Sequence, residues 1–170
     1  DTDQVEAAIQ DNPDTSYIVI NEPYNPAGTL MSAATQNTLI GLAKQHGNSH
    51  ILCDEVYRLL EHDPADRLPA MADAYAKGIS VVTLSTPWGA CGITIGWIAT
   101  QDCDLIERMA DHQYFGTACP SRASELLAIM CLNASDKILT RNLAILQYNK
   151  DLLSQFMADY EEFFHWVPPT

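Results

Sequence analysis

Three short segments of this chain gather amide, carboxyl, phenol and hydroxyl groups at spacings that can do chemistry. The first is Asn21-Glu22-Pro23-Tyr24-Asn25-Pro26-Ala27-Gly28. Its two prolines and glycine predict a tight, rigid loop that holds the Asn25 amide in place. An isolated N-P-x-G is more often an ordinary turn, so this segment alone decides nothing. The second is Ile51-Leu52-Cys53-Asp54-Glu55-Val56-Tyr57-Arg58. A carboxylate directly after a buried strand is costly unless something positive or hydrogen-bonding meets it. A protonated pyridine nitrogen would meet it, and the pairing would keep the ring charged and able to accept electrons. Tyr57 is placed to donate to a ring oxygen. Taken alone, Asp54 as a helix N-cap and Tyr57 as a core aromatic serve equally well.

The third segment is Thr83-Leu84-Ser85-Thr86-Pro87-Trp88-Gly89-Ala90-Cys91-Gly92-Ile93-Thr94-Ile95-Gly96-Trp97. Hydroxyls and glycines at a strand end can bind phosphate through O–H and backbone N–H groups. The plainer reading is a Gly-rich connection with Trp88 and Trp97 as packing residues. No G-x-G-x-x-G follows a strand, which argues against a dinucleotide-binding dehydrogenase, and no G-x-S-x-G elbow marks a hydrolase. The five histidines are scattered without a helical H-x-x-x-H pair, so no metal site is expected.

The elements that must position these groups alternate between helical patterns and short apolar runs. Thr2 to Gln10 reads as the end of a helix with Val5, Ala8 and Ile9 on one face, followed by the strand Tyr17–Ile20. Ser32 is a plausible N-cap for a helix reaching about His46. Further strands are predicted at His50–Cys53, Ile79–Ser85 and Gly96–Thr100. Asp102 caps a helix carrying Leu105, Ile106 and Met109, and Pro120 suits the first turn of another that reaches about Leu132. A long helix from about Ser135 to Phe163 carries Ile138, Leu143, Leu146, Leu153 and Phe156 as its apolar stripe. Strands without clear alternation, separated by helices, indicate an α/β domain with a mainly parallel sheet covered on both faces. Ligands of such sheets gather at the carboxyl ends of the strands, where all three polar segments fall.

Together the segments resemble the class I/II aminotransferases, which are fold-type I pyridoxal-phosphate (PLP) enzymes. NEPYNPAG is similar to that family's N-x-P-x-N-P-x-G loop, CDEVYR to its D-E-x-Y-x strand end, and TLSTPWGACGITIGW to its S-x-S-K-x-x-G-x-x-G-x-R-x-G-W segment. Order and spacing agree across all three. The resemblance implies that Asn25 and Tyr57 hydrogen-bond the phenolic oxygen of PLP, that Asp54 pairs with its pyridine nitrogen, and that Thr83 and Ser85 face its phosphate. It places the Schiff-base lysine on Thr86, whose hydroxyl cannot form an imine or shuttle a proton as an amine does. It places the phosphate-binding arginine on Thr94, removing a charge-assisted contact of a kind worth about 1.5–3 kcal/mol. The stretch from Pro87 to Trp97 is also similar to segments of PLP enzymes that act on arginine, such as capreomycidine synthase and arginine oxidases.

What the resemblance implies for residues 1–170 is part of the large, PLP-binding domain of a transferase. The N-terminal part of that domain and the small C-terminal domain, which holds the substrate carboxylate, are expected to be absent. The parent enzyme is expected to act on an amino acid or 2-oxo acid. The chain as written is expected to be inactive, either as part of a transaminase, as part of an arginine-modifying enzyme, or as a catalytically silent α/β fragment.

Composition sets the remaining bounds. At 170 residues and 47% hydrophobic, the chain can bury a core. Nine Lys plus Arg against 22 Asp plus Glu give a net charge of -13, a surface that repels nucleic acid. No apolar run is long enough to cross a bilayer and no leader pattern opens the chain, so a soluble, cytoplasmic protein is expected. Five cysteines without a C-x-x-C pair predict small buried thiols in a reducing compartment. Removal of the earlier strands should uncover an apolar sheet face, so self-association, as a dimer or by domain exchange, is expected.

Overall fold

The computed structural model describes residues 1–47 and 49–170. Among the described residues ten α-helices and β-strands follow one another: α1 (Thr2–Asp11), β1 (Tyr17–Asn21), α2 (Ala33–Gln45), β2 (His50–Asp54), α3 (Met71–Ala74), β3 (Gly78–Thr83), β4 (Gly96–Thr100), α4 (Cys103–Gly116), α5 (Arg122–Asn133) and α6 (Ser135–Asp159). The strands form one sheet in the order β1-β2-β3-β4. The β1–β2 and β2–β3 pairs are parallel, while β4 returns antiparallel to β3. The α/β expectation with a mainly parallel sheet holds. The reversal at β4 follows from its connection: residues 84–95 contain only a short 3-10 turn, Cys91–Ile93, and no crossover helix.

Parallel register sets which side chains share a face. Ile18 lies beside Ile51 and Ile20 beside Cys53, and all four point toward the helices. There they join Ile9 of α1, Leu39, Ile40, Leu42 and Ala43 of α2, and Met71 in one buried cluster with Tyr75. The opposite face, expected to be covered as well, carries Tyr17, Val19 and Ile98, all exposed, with Val19 at 69%, because no helix among the described residues packs over these positions. A smaller cluster forms beyond the strand ends, where Leu84 and Trp88 pack on Ala128 of α5, with Cys131 and Ile138 alongside.

Local signals placed the helices well at their starts. The Ser32 side chain accepts from the Thr35 amide at 3.1 Å, and the Asp102 side chain accepts from the Leu105 amide at 3.0 Å. Two helix boundaries differ, and β3 ends at Thr83 rather than at Ser85. Pro120 precedes α5 rather than sitting in its first turn, because Ser121 takes the N-cap position. The last helix ends at Asp159, with Tyr160 as its C-cap, short of Phe163. None of its residues is buried, so its apolar stripe lies largely open. The cysteines also depart from expectation. Cys53 is buried and Cys131 half-buried, but Cys91, Cys103 and Cys119 are exposed, because they sit on the third segment's turn and on outward positions of α4 and its exit. Among the described residues, no helix is long and apolar enough to cross a membrane.

Candidate functional site

The first polar loop grows out of the carboxyl end of β1. Asn21, the last residue of that strand, lies in register with Asp54, the last of β2. Its Nδ2 donates to the Asp54 carbonyl at 2.9 Å, while its Oδ1 accepts the Asn25 amide at 2.8 Å. One side chain thus ties the loop to the neighbouring strand end. The loop closes on itself through Gly28 N to Tyr24 O at 2.8 Å and Tyr24 N to Thr29 O at 3.1 Å. Gly28 adopts φ +68°, a left-handed conformation that a side chain disfavours. A Cβ there would also lie 2.7 Å from Cβ of Pro169.

The loop delivers Asn25 to Tyr57. Asn25 Nδ2 donates to the Tyr57 hydroxyl at 2.8 Å across 32 residues of sequence. Tyr57 reaches this point from a turn over residues 56–59, not from a helix. Asp54 Oδ1 accepts the Val56 amide at 3.2 Å and so shapes that turn. Part of the capping role therefore belongs to Asp54, but to a turn.

The third segment contributes a pair of hydroxyls at the end of β3, with Thr83 Oγ1 and Ser85 Oγ 2.6 Å apart. Cys91 Sγ donates to the Ser85 carbonyl at 3.4 Å and folds the 3-10 turn back over them. Thr94 is not drawn in by its side chain. It caps that turn in a left-handed conformation, and its hydroxyl donates to the Cys91 carbonyl at 3.4 Å. Trp88 is buried and donates its indole N–H to Ser135 at 2.9 Å, while Trp97 meets it edge-on at 6.2 Å but stays exposed, so only Trp88 serves as a core packing residue.

Asn25, Tyr57 and Thr86 open onto a shared cavity of about 480 Å³, with Leu60, Leu146 and Asn142 among its walls. Asn142 of α6 donates to the Pro87 carbonyl at 2.8 Å and pins the turn beside Thr86 to the long helix. Pro169 and Thr170 close another side: the Thr170 amide donates to Gly28 O at 2.9 Å, and the Leu30 amide to Thr170 Oγ1 at 3.0 Å. Neither Asn142 nor Thr170 stood out in the sequence, since nothing local marks a contact across so many residues. Asn21 had a usable signal, being the polar residue that ends an apolar strand immediately before the loop.

Electrostatics around the cavity follow from burial. Burial lowers the His62 imidazole's affinity for a proton, and Lys150 lowers it further. Burial pushes the Cys53 thiol far up, with Glu55 and Glu22 adding to it, so Cys53 stays a neutral thiol. Among the described residues, no cluster of His, Cys, Asp or Glu could hold a metal ion.

Comparison with known proteins bears on the family and the fold. The family model for aminotransferase class I and II matches residues 1–168. An aspartate aminotransferase of Rhizobium meliloti (strain 1021) is 29% identical over 157 residues, covering 89% of this chain and 37% of that protein. Capreomycidine synthase of Streptomyces vinaceus is 24% identical over 161 residues, covering 95% of this chain and 40% of that protein. Among solved structures, a PLP-dependent aminotransferase from Streptococcus suis 89-1591 superposes with a TM-score of 0.89 at 30% identity, covering 99% of this chain and 43% of that one. The chain thus spans less than half the length of these relatives. With a match over nearly its whole length and a shared architecture, this chain belongs to the class I and II aminotransferases.

Proposed function

We propose that this chain is the cofactor-holding part of a PLP-dependent, aminotransferase-like enzyme acting on an amino acid, and that it does not catalyse transamination as written. PLP is the cofactor that membership of the family implies. When bound, it supplies an aldehyde that condenses with amines and a ring that accepts electrons. The observation carrying this reading is the Asn25–Tyr57 contact at 2.8 Å, beside a strand end occupied by Asp54.

By residue type the donor set suits the non-covalent part of such a site, although Asp54, Thr83, Ser85 and Thr94 do not line the cavity that Asn25, Tyr57 and Thr86 share. Asn25 and Tyr57 would orient a ring oxygen with an N–H and an O–H. Asp54 would hold a proton on the ring nitrogen. The paired hydroxyls of Thr83 and Ser85 would bind phosphate. The covalent part does not suit it. Thr86 offers a hydroxyl where an imine needs an amine, and the four lysines, Lys44, Lys77, Lys137 and Lys150, all lie outside the third segment. Thr94 brings no positive charge to the phosphate.

A second reading, an arginine-modifying PLP enzyme, is supported by the likeness to capreomycidine synthase and by the Pro87–Trp97 variant. The exposed apolar faces support self-association within either reading, with a dimer the simplest form.

The test is to titrate the chain and a Thr86→Lys variant with PLP, then reduce with borohydride and map the peptides by mass. The expected result is reversible binding by the chain and a covalent adduct in the variant's peptide containing position 86. Absence of both binding and adduct would leave a non-catalytic α/β fragment as the better description.

A further inference from the structure

Glu22 opens the loop that carries Asn25, and its side chain turns inward. Its Oε1 accepts the Met31 amide at 2.7 Å, bridging the two ends of the loop. Two more carboxylates face it. Glu55 is buried and accepts from the Ser80 hydroxyl at 2.6 Å, the Met71 amide at 2.8 Å and Arg58 at 3.5 Å. Glu61 is buried and accepts from Arg67 at 2.9 Å. Gln36, Cys53 and Asp66 complete the surroundings. Four carboxyl groups, those of Glu22, Glu55, Glu61 and Asp66, therefore line this pocket with two guanidinium groups, and each guanidinium is already engaged by Glu55 or Glu61. Among the described residues no cation contacts Glu22.

We propose that Glu22 is a second positioning residue, beside Asn21, for the loop that carries Asn25: a protonatable clasp that holds the loop's two ends together while its carboxyl is neutral and loosens them on ionisation. The neutral carboxyl keeps a carbonyl oxygen for the Met31 amide and adds no further negative charge to the cluster. The ionised carboxyl makes a stronger hydrogen bond to that amide, but it does so half-buried and facing two other carboxylates. Burial dominates this balance: it raises the Glu22 carboxyl above the usual range, Glu61 and Glu55 raise it further, and the Met31 amide opposes them.

The sign is opposite to that of a salt-bridged acid. The folded state favours the proton, so stability is full below the ordinary glutamate value of about 4.3. It is lost as pH rises from there through the raised folded value, and is flat beyond. The consequence for Asn25 rests on the reading of that residue as a cofactor contact, but the clasp itself does not.

The test has a cofactor-free arm. The Glu22 Cδ resonance of the chain is followed by carbon NMR while amide exchange at Met31 is measured from about pH 4.5 to about pH 8, corrected for intrinsic exchange. The expected result is Glu22 titration above the ordinary range, with Met31 protection falling over the same interval. In Glu22→Gln, which keeps the carbonyl acceptor but cannot ionise, protection should stay level. A second arm compares PLP retention over the same pH range, which should fall in the parent chain and flatten in Glu22→Gln. Ordinary Glu22 titration, or parallel protection profiles in the two proteins, overturns the clasp. Failure to retain PLP at any pH, with the NMR and exchange results intact, instead overturns the cofactor reading.

Discussion

At the scale of single residues, the site depends on groups whose positions are fixed by other side chains. Asn21 spends both ends of its amide on backbone, one on Asp54 and one on Asn25, so the loop cannot drift from the end of β2 without breaking one of these hydrogen bonds. That constraint brings Asn25 to Tyr57. The Asn25–Tyr57 contact lies at the surface, where water can replace either partner, so it adds little to folding. In the proposed function its value lies in presenting two donors to the cofactor. Tyr57→Phe is therefore expected to leave the urea midpoint nearly unchanged while weakening PLP binding by one hydrogen bond. That is about 1 kcal/mol, or about fivefold in Kd. Absorbance titration of the two proteins measures the difference. Equal affinities would remove Tyr57 from the ring's edge.

At the scale of elements, the end of the sheet away from the site is tied by His50 and Asp102. His50, at the start of β2, stacks on Tyr17 with ring centroids 5.3 Å apart, and its Nε2 meets Asp102 Oδ2 at 2.8 Å. Asp102 also caps α4. The hydrogen bonds from His50 and the Leu105 amide hold the Asp102 carboxyl below the usual range. A depressed folded value means that the stabilisation is complete above the ordinary aspartate value of about 3.9 and is lost as pH falls through the folded value. Asp102→Asn keeps a cap acceptor but not the charge. The parent chain should be the more stable at neutral pH by urea denaturation, and the gap should shrink below about pH 3.9. A gap that persists unchanged into acid would mean that the charge plays no part.

Much at this scale was legible because caps and strand ends are local. Ser32, Asp102 and the bounds of β4 came directly from residue types, as did the three polar segments at strand ends. The direction of β4 was not legible, since it depends on whether residues 84–95 form a crossover helix, and apolar residues such as Ile93 and Ile95 do not decide that. The end of α6 was overrun because Phe163 and Phe164 continue an apolar pattern past the last helical turn. The stripe on α6 was read correctly as apolar, but periodicity says which side is greasy and not what covers it. Asn142 and Thr170 stayed hidden for a related reason: their partners, Pro87 and Gly28, are brought near only by the whole chain's path.

At the scale of the molecule, the chain carries more surface than its mass warrants. Its accessible area is 10873 Å² at 18.8 kDa, whereas a compact monomer of that mass has about 8300 Å². The excess of about 2600 Å² is roughly three times what one partner contributes to a standard protein–protein interface. Much of the open surface is apolar. Val19 and Ile98 line one sheet face, while Phe115 at 85% exposure and Met130 at 65% lie on the α4–α5 side. Such patches drive association by the same burial that builds cores. Against this stands a charge of -13 on every copy, whose mutual repulsion salt will screen. Light scattering should therefore give a mass above 18.8 kDa that rises with protein concentration and rises further with added salt, the reverse of an interface held by ion pairs. Val19→Lys and Met130→Lys then sort the two faces, because only the one buried in the complex should shift the chain toward monomer. A folded chain that stays at 18.8 kDa across concentration and salt would show that its apolar faces do not meet.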